Sequence, residues 1–370
     1  MGEEHMKIAL FGASGEIGTY VYLELTKCGH HVTPVIRNSL GPTLSRSKIN
    51  FAKIANYHVS SLSQLLDDID VVINCAIDKS SNSNKKEIIK SNTSFVKNLL
   101  EAADQCKIKK FIHLSSIVVL PPLLTDDTIR SNEPSTEKDW YTIAKIMTEK
   151  QCLEFPTTGK MKIIVLRPGI VYGARMAWTK LSFHILSETG ITLPSNKSTC
   201  AAVHPIDIAR LIDKIITSRR PPSLIYAINP EKISWAEYYD GHLQGLETSS
   251  RHLVQIDEEA PIIPSRSDAV KSIITELLVW IKEAPFWKYL IHIPFILPIG
   301  SKVMTRFVYS KKNQGQQGSK ASYIPMGFER QLYQSYFDSH KIETGQSIGF
   351  KYTISFLKGV NSANLWRKGI

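Results

Sequence analysis

From Met6 to about Leu120, short apolar runs alternate with longer stretches in which apolar residues recur every three or four positions. Ile8–Phe11, His31–Ile36, Val71–Cys75 and Lys110–Leu114 have the pattern of buried strands. Glu16–Cys28, Ser61–Leu66 and Lys85–Cys106 have that of amphipathic helices. Alternation of strand and helix predicts an α/β protein with a doubly wound parallel sheet, because each parallel strand pair needs a crossover. After about Arg175 the alternation weakens. A helical period over Ile206–Ile216 and a strand over Leu224–Asn229 are expected to rejoin the first sheet.

The first strand ends in three glycines, Gly12, Gly15 and Gly18, within KIALFGASGEIG. Strand, glycine turn and helix together seat a dinucleotide pyrophosphate on a helix N-terminus. Gly12 allows the tight turn, Gly15 leaves room for the phosphates, and Gly18 lets the helix pack close to the strand. The intervening Ser14, Glu16 and Ile17 are expected at the same site. The spacing G-x-x-G-x-x-G departs from the commoner G-x-G-x-x-G. Ligands of such sheets bind at the carboxyl ends of the strands, so the glycine turn, the ends of the second and third strands and Ser115–Ser116 should share one crevice. The second strand ends in Arg37 and Asn38, with no Asp or Glu between His31 and Leu40. A ribose 2′-phosphate prefers a cation there and a bare hydroxyl a carboxylate. Arg37 therefore points to NADP(H), with NAD(H) as the alternative.

Composition narrows the class further. The 370 residues are 43% hydrophobic and 21% charged, an ordinary globular balance that allows one large or two modest domains. The five cysteines are scattered, with no C-x-x-C and no close Cys/His cluster. This argues against a zinc site or a disulfide framework and suits a reducing, cytoplasmic setting. The start of the chain lacks the cationic-then-apolar pattern of a signal peptide. A net charge of +11 fits either an anionic partner or plain solubilising charge. No nucleic-acid-binding motif accompanies it.

Tyr141 and Lys145, in DWYTIAKIMTEK, lie one helical turn apart on the same face. An ammonium beside a phenol favours the phenolate, so Tyr141 is expected to have a lowered pKa and to exchange a proton with a carbonyl or carbinol oxygen. A Ser hydroxyl at the end of KKFIHLSS can hydrogen-bond the same oxygen.

These motifs occur in a recognisable order: FGASGEIG, VINCA, SNTSFVKNLLEAA, KKFIHLSS, YTIAK, LRPGIVYG, AAVHPIDIARLI and YAINPEKISWAEY. In this the chain resembles the extended short-chain dehydrogenases/reductases, the NAD(P)-dependent epimerase/dehydratase group, over most of Met6 to Tyr238. A weaker likeness returns at Phe337–Lys341, Ile348–Val360 and Trp366. The resemblance implies an NAD(P)-binding Rossmann domain over residues 1–175, rejoined by 201–230, and a smaller, mostly helical substrate region over 176–370. It implies Tyr141 as general acid/base, Lys145 as the group that holds the nicotinamide ribose, and Ser116 as the group that polarises the reacting oxygen. Gly12, Gly15 and Gly18 would take the pyrophosphate. Ala76 would lie beside the cofactor, Asn92 near the site, and Pro168 at a loop over the nicotinamide. A homodimer is implied as well.

Departures from the family pattern matter too. His58 stands where an acidic residue often contacts adenine. Ile117 and Val118 replace the acidic pair of sugar-nucleotide dehydratases and cannot move protons. STCAAVHP lacks the charges that many nucleotide-sugar enzymes carry there, although Lys197 is close. The acidic residues of the polar segment Leu123–Lys138 are expected on a solvated loop.

The very apolar Ala269–Gly300 is interrupted by Glu276, Lys282, Glu283 and Lys288, so it does not predict a spanning helix. It predicts a small helical core. A pocket wall for an apolar substrate, or a membrane-surface patch beside the basic run Lys302–Lys320, are its alternatives. Lys311–Lys320 has the composition of a mobile loop.

The expected activity is an NADP(H)-dependent oxidoreductase acting on a ketone or alcohol, including one carried on a nucleotide-linked sugar. The alternatives are an epimerase that retains NAD, and a non-catalytic NADP(H)-sensing protein.

Overall fold

A computed structural model describes residues 5–37, 39–40, 44–46, 49–79, 84–120, 134–135, 139–188, 191–193, 199–246, 254–256 and 344–368. Seven strands form one parallel sheet: β1 (Lys7–Phe11), β2 (His31–Ile36), β3 (Ala52–Lys53), β4 (Val71–Asn74), β5 (Lys110–Leu114), β6 (Lys162–Pro168) and β7 (Leu224–Ala227). Their spatial order is β7-β6-β5-β4-β1-β2-β3. The order reverses between β1 and β4, which opens a crevice at the carboxyl ends of these two strands. Pro34 is tolerated within β2 because it pairs opposite Leu10 of β1 and β3 joins no earlier than Val35.

Successive side chains of β1 point to opposite faces. Ile8 and Leu10 pack with α1 (Glu16–Lys27) on one side, Ala9 and Phe11 with α2 (Val59–Leu66) and α3 (Lys85–Gln105) on the other. A capping box between Asn84 and Glu87 begins α3. Asp139 begins α4 (Trp140–Leu153) by accepting from the Thr142 amide at 2.9 Å.

The helix α5 (Ala177–Glu188) is followed by α6 (Pro205–Thr217), whose Ile208, Ile212 and Ile215 join the α1 side of the core. The helices α7 (Trp235–Leu243) and α8 (Phe356–Lys368) pack with α5 around Tyr172, Phe183, Trp235, Tyr238 and Phe356. The 344–368 segment is fastened to α6. Buried Asp207 accepts hydrogen bonds from the Thr353 amide and hydroxyl and from the Ile354 amide, at 3.0, 2.8 and 3.0 Å.

The expected strands and helices form to within two residues of their expected bounds, the helix expected from Ser61 beginning at Val59, and the sheet has two strands that were not expected, β3 and β6. No helix among the described residues is long and apolar enough to cross a membrane. Ala269–Gly300, Lys302–Lys320, Lys197 and Phe337–Lys341 lie outside the described residues, as does Leu123–Lys138 apart from Pro134 and Ser135.

Candidate active site

A cleft of about 840 Å³ lies at the switch point. Gly12, Ser14, Gly15, Glu16, Ile17, Gly18, Arg37, Ala76, Asn92, Ser116, Tyr141, Lys145 and Pro168 all line it. Asn38 lies outside the described residues.

Gly12 has φ +79°, and a Cβ there would meet the Ala76 amide nitrogen at 2.5 Å. A Cβ on Gly18 would run into the Gly12 carbonyl. The turn and the first helical turn thus pack against each other with no room for side chains. Gly15, the N-cap of α1, offers no side-chain cap, so the N-terminus of α1 is left to the cleft. The carboxylate of Glu16 turns away from this end. It accepts from the Ala177 amide at 2.8 Å and from Lys180 Nζ at 2.7 Å, joining the glycine turn to the start of α5.

The two serines after β5 have different surroundings. The Ser115 hydroxyl is buried and donates to Glu149 at 2.5 Å. Ser116 lines the cleft together with Tyr141, and its hydroxyl accepts from the Val118 amide at 3.3 Å. Glu149 also accepts from Arg167 Nε at 3.0 Å and from Arg167 Nη2, and Arg167 Nη1 donates to the Tyr226 hydroxyl at 2.5 Å. The sequence reading missed this buried network. Its available signal was Glu149 standing four residues beyond Lys145.

Lys145 is buried, donates to the Leu114 carbonyl at 2.7 Å, and lies 5.8 Å from the centre of the Tyr141 ring. Burial lowers its pKa to about 8. The Tyr141 phenol departs from expectation. Burial pushes it up to about 12, against the lowering effect of the neighbouring Ser116 side chain. The protein's own groups do not bring it toward neutrality, because loss of solvation outweighs them.

Behind Lys145, Asn74 fixes the tautomer of buried His113. Asn74 Oδ1 accepts from the Ala76 amide, so Asn74 Nδ2, 3.2 Å away, donates to His113 Nδ1 and leaves the proton on Nε2. Burial holds His113 well below the usual histidine range.

At the other end of the cleft, Arg37 Nη1 stands 4.0 Å from the carboxylate of Asp78, a residue the sequence reading did not single out. Asn92 supports Asp78 through both groups of its amide. Tyr57, rather than the adjacent His58, lines the cleft, and His58 is the N-cap of α2. Ile117 and Val118 are buried at the cleft wall and carry no proton-transfer group.

These features are those of a Rossmann-type fold with one cleft at its switch point that gathers the glycine turn, Ser116, Tyr141 and Lys145. A model of the NAD dependent epimerase/dehydratase family matches residues 8–228, and the chain belongs to that family. The UDP-glucose 4-epimerase of Vibrio cholerae is 25% identical over 217 residues, covering 57% of this chain and 65% of that protein. The UDP-N-acetyl-alpha-D-glucosaminuronate decarboxylase of Bacillus cytotoxicus is 29% identical over 175 residues, covering 44% and 54% respectively. The chain thus spans less than two thirds of the length of these relatives. Among solved structures, gox2253 has a TM-score of 0.63 over 98% of each chain at 14% identity. MoeE5 in complex with UDP-glucuronic acid and NAD has a TM-score of 0.53 over 68% of this chain and 85% of that one, at 19% identity. At these identities the likeness is one of fold.

Proposed function

We propose that the chain is an NAD(P)(H)-dependent oxidoreductase that interconverts a carbinol and a ketone, with Tyr141 moving the proton at the substrate oxygen. One observation carries this: Tyr141 shares with Ser116 the cleft that the glycine turn opens and lies beside buried Lys145 there. A dinucleotide fits, because the cradle around Gly12 and Gly18 excludes side chains and the N-terminus of α1 faces it without a side-chain cap.

Bound there, the nicotinamide supplies or accepts the hydride. The Ser116 hydroxyl donates to the substrate oxygen and orients it. In reduction, the Tyr141 hydroxyl gives its proton to that oxygen. In oxidation, the Tyr141 phenolate removes it. With burial raising Tyr141 to about 12, its phenolate depends on nearby positive charge, and Lys145 is the protein's contribution. Ile117 and Val118 give no support to an elimination reaction.

Arg37 at the end of β2 supports NADP(H), whereas Asp78 beside it supports NAD(H). A second proposal, a nucleotide-sugar epimerase that returns the hydride to the other face of a transient ketone, draws support from the Vibrio relative. The presence of both Tyr141 and Lys145 in the cleft favours either enzyme over a non-catalytic sensor.

The test is titration of the purified chain with NADPH and NADH, after absorbance measurement of nucleotide carried through purification, followed by turnover assays on ketones and UDP-sugars. Exchangeable cofactor and ketone reduction support the first proposal. Retained NAD with epimerisation supports the second. A Tyr141→Phe variant that turns over at the unsubstituted rate overturns the catalytic assignment in both.

A further inference from the structure

Arg37 and Asp78 reach the same end of the cleft from opposite sides of β1. Arg37 follows β2 and Asp78 follows β4, and the sheet order β4-β1-β2 brings the two ends together. Their charged groups stand 4.0 Å apart, at the outer limit of an ion pair and without bidentate geometry.

The two partners are held very differently. The Arg37 side chain is 49% exposed and Asp78 only 19%. Asp78 is anchored at three points. Ser91 Oγ donates to its Oδ2 at 2.8 Å, its own amide donates to Asn92 Oδ1 at 2.8 Å, and Asn92 Nδ2 donates to its carbonyl at 3.1 Å. Asn92 Nδ2 also donates to the Ile88 carbonyl at 2.8 Å, which ties the arrangement to α3. Tyr57, on the same stretch of cleft, lies in the field of both charges. An anchored, mostly buried anion thus faces a half-exposed cation.

We infer that Asp78, working against Arg37, decides which nicotinamide dinucleotide the cleft takes, and that the pair admits both NAD(H) and NADP(H). The inference rests on the proposal that this cleft binds such a dinucleotide. A 2′-phosphate carries close to two negative charges. Arg37 attracts it and the anchored carboxylate repels it, so the pair presents almost no net charge to it. An unphosphorylated ribose offers hydroxyl donors, and Asp78 offers a preorganised acceptor. Arg37 alone favours the phosphorylated cofactor, and Asp78 offsets that preference.

The test is equilibrium binding of NADH and NADPH to the full chain and to Asp78→Asn and Arg37→Gln, followed by nicotinamide fluorescence. The two Kd values of the unsubstituted chain are expected within about tenfold of each other. Asp78→Asn keeps an oxygen for Ser91 and removes the charge. It is expected to move the Kd ratio toward NADPH by about tenfold or more, and Arg37→Gln to move it the other way. If Asp78→Asn fails to fold, Ser91→Ala, which loosens the carboxylate without removing it, is expected to move the ratio in the same direction by a smaller factor. A ratio unmoved by these variants, with both dinucleotides still bound, overturns this inference and leaves the cofactor proposal standing. Failure of the unsubstituted chain to bind either dinucleotide overturns both.

Discussion

Glu149 and Arg167 form a two-point ion pair beneath the candidate site, with side chains only 7% and 2% exposed. The same carboxylate holds Ser115, so α4, β5 and β6 meet at one buried group. Tyr141, Lys145 and Glu149 follow each other at four-residue intervals along α4. The pair therefore fixes the helix that presents the other two. Removing one member of a buried pair strands the other charge. Glu149→Ala is expected to cost about 3–5 kcal/mol of stability, measured by denaturant unfolding. A loss under about 1 kcal/mol would show that water reaches Arg167 and that the pair does not fix α4.

Tyr141→Phe keeps the ring and removes the proton donor. Turnover is expected to fall by a factor of about 10² to 10⁴, with cofactor Kd changed less than about twofold. Steady-state kinetics and a binding titration on the same preparation check both halves. Ser116→Ala is expected to lower kcat by a smaller factor, since Tyr141 keeps its proton.

Gly18 tests the cradle rather than the chemistry. In Gly18→Ala the new methyl meets the Gly12 carbonyl, and relief requires the turn or the helix to move. Dinucleotide affinity is expected to fall by about tenfold or more, measured by fluorescence titration. An unchanged Kd would place the pyrophosphate elsewhere.

Much of this arrangement was legible in the chain. β1 and β4 stand out because buried parallel strands are near-continuous apolar runs. Gly12, Tyr141 and Lys145 stand out because turn geometry and helical spacing are local. Asp78 does not, because its approach to Arg37 depends on the order of strands and not on spacing. Glu149 was visible as the third member of a four-residue series, but a charged helix residue ordinarily faces water, and only Arg167 from β6 makes it a core group. His58 was singled out and Tyr57 was not, because position along the chain does not tell which of two adjacent residues turns toward the cleft. The rise in Tyr141's pKa followed from burial, which helical spacing does not report.

Buried histidines set the acid limb of stability. Burial lowers His204 and His242 to about 4 from the ordinary histidine range. In the unfolded chain each takes a proton below about pH 6.5, while in the folded chain each stays neutral down to about 4. Their contribution is complete above about pH 6.5 and is lost as pH falls toward 4, at about 1.4 kcal/mol per unit for each. The melting temperature is expected to drop between pH 7 and pH 5. His242→Gln is expected to flatten part of that slope. A slope identical to that of the unsubstituted chain would mean that His242 takes its proton as readily in the fold as in the unfolded chain.

Asp207 makes one unit of two distant parts of the chain. Its three hydrogen bonds come from Thr353 and Ile354, 146 and 147 residues further along the chain. A carboxylate enclosed without such donors is costly, so the stability of the sheet flank covered by α6 is tied to the 344–368 segment, and a change at Thr353 is felt on the side of the fold that carries the glycine turn.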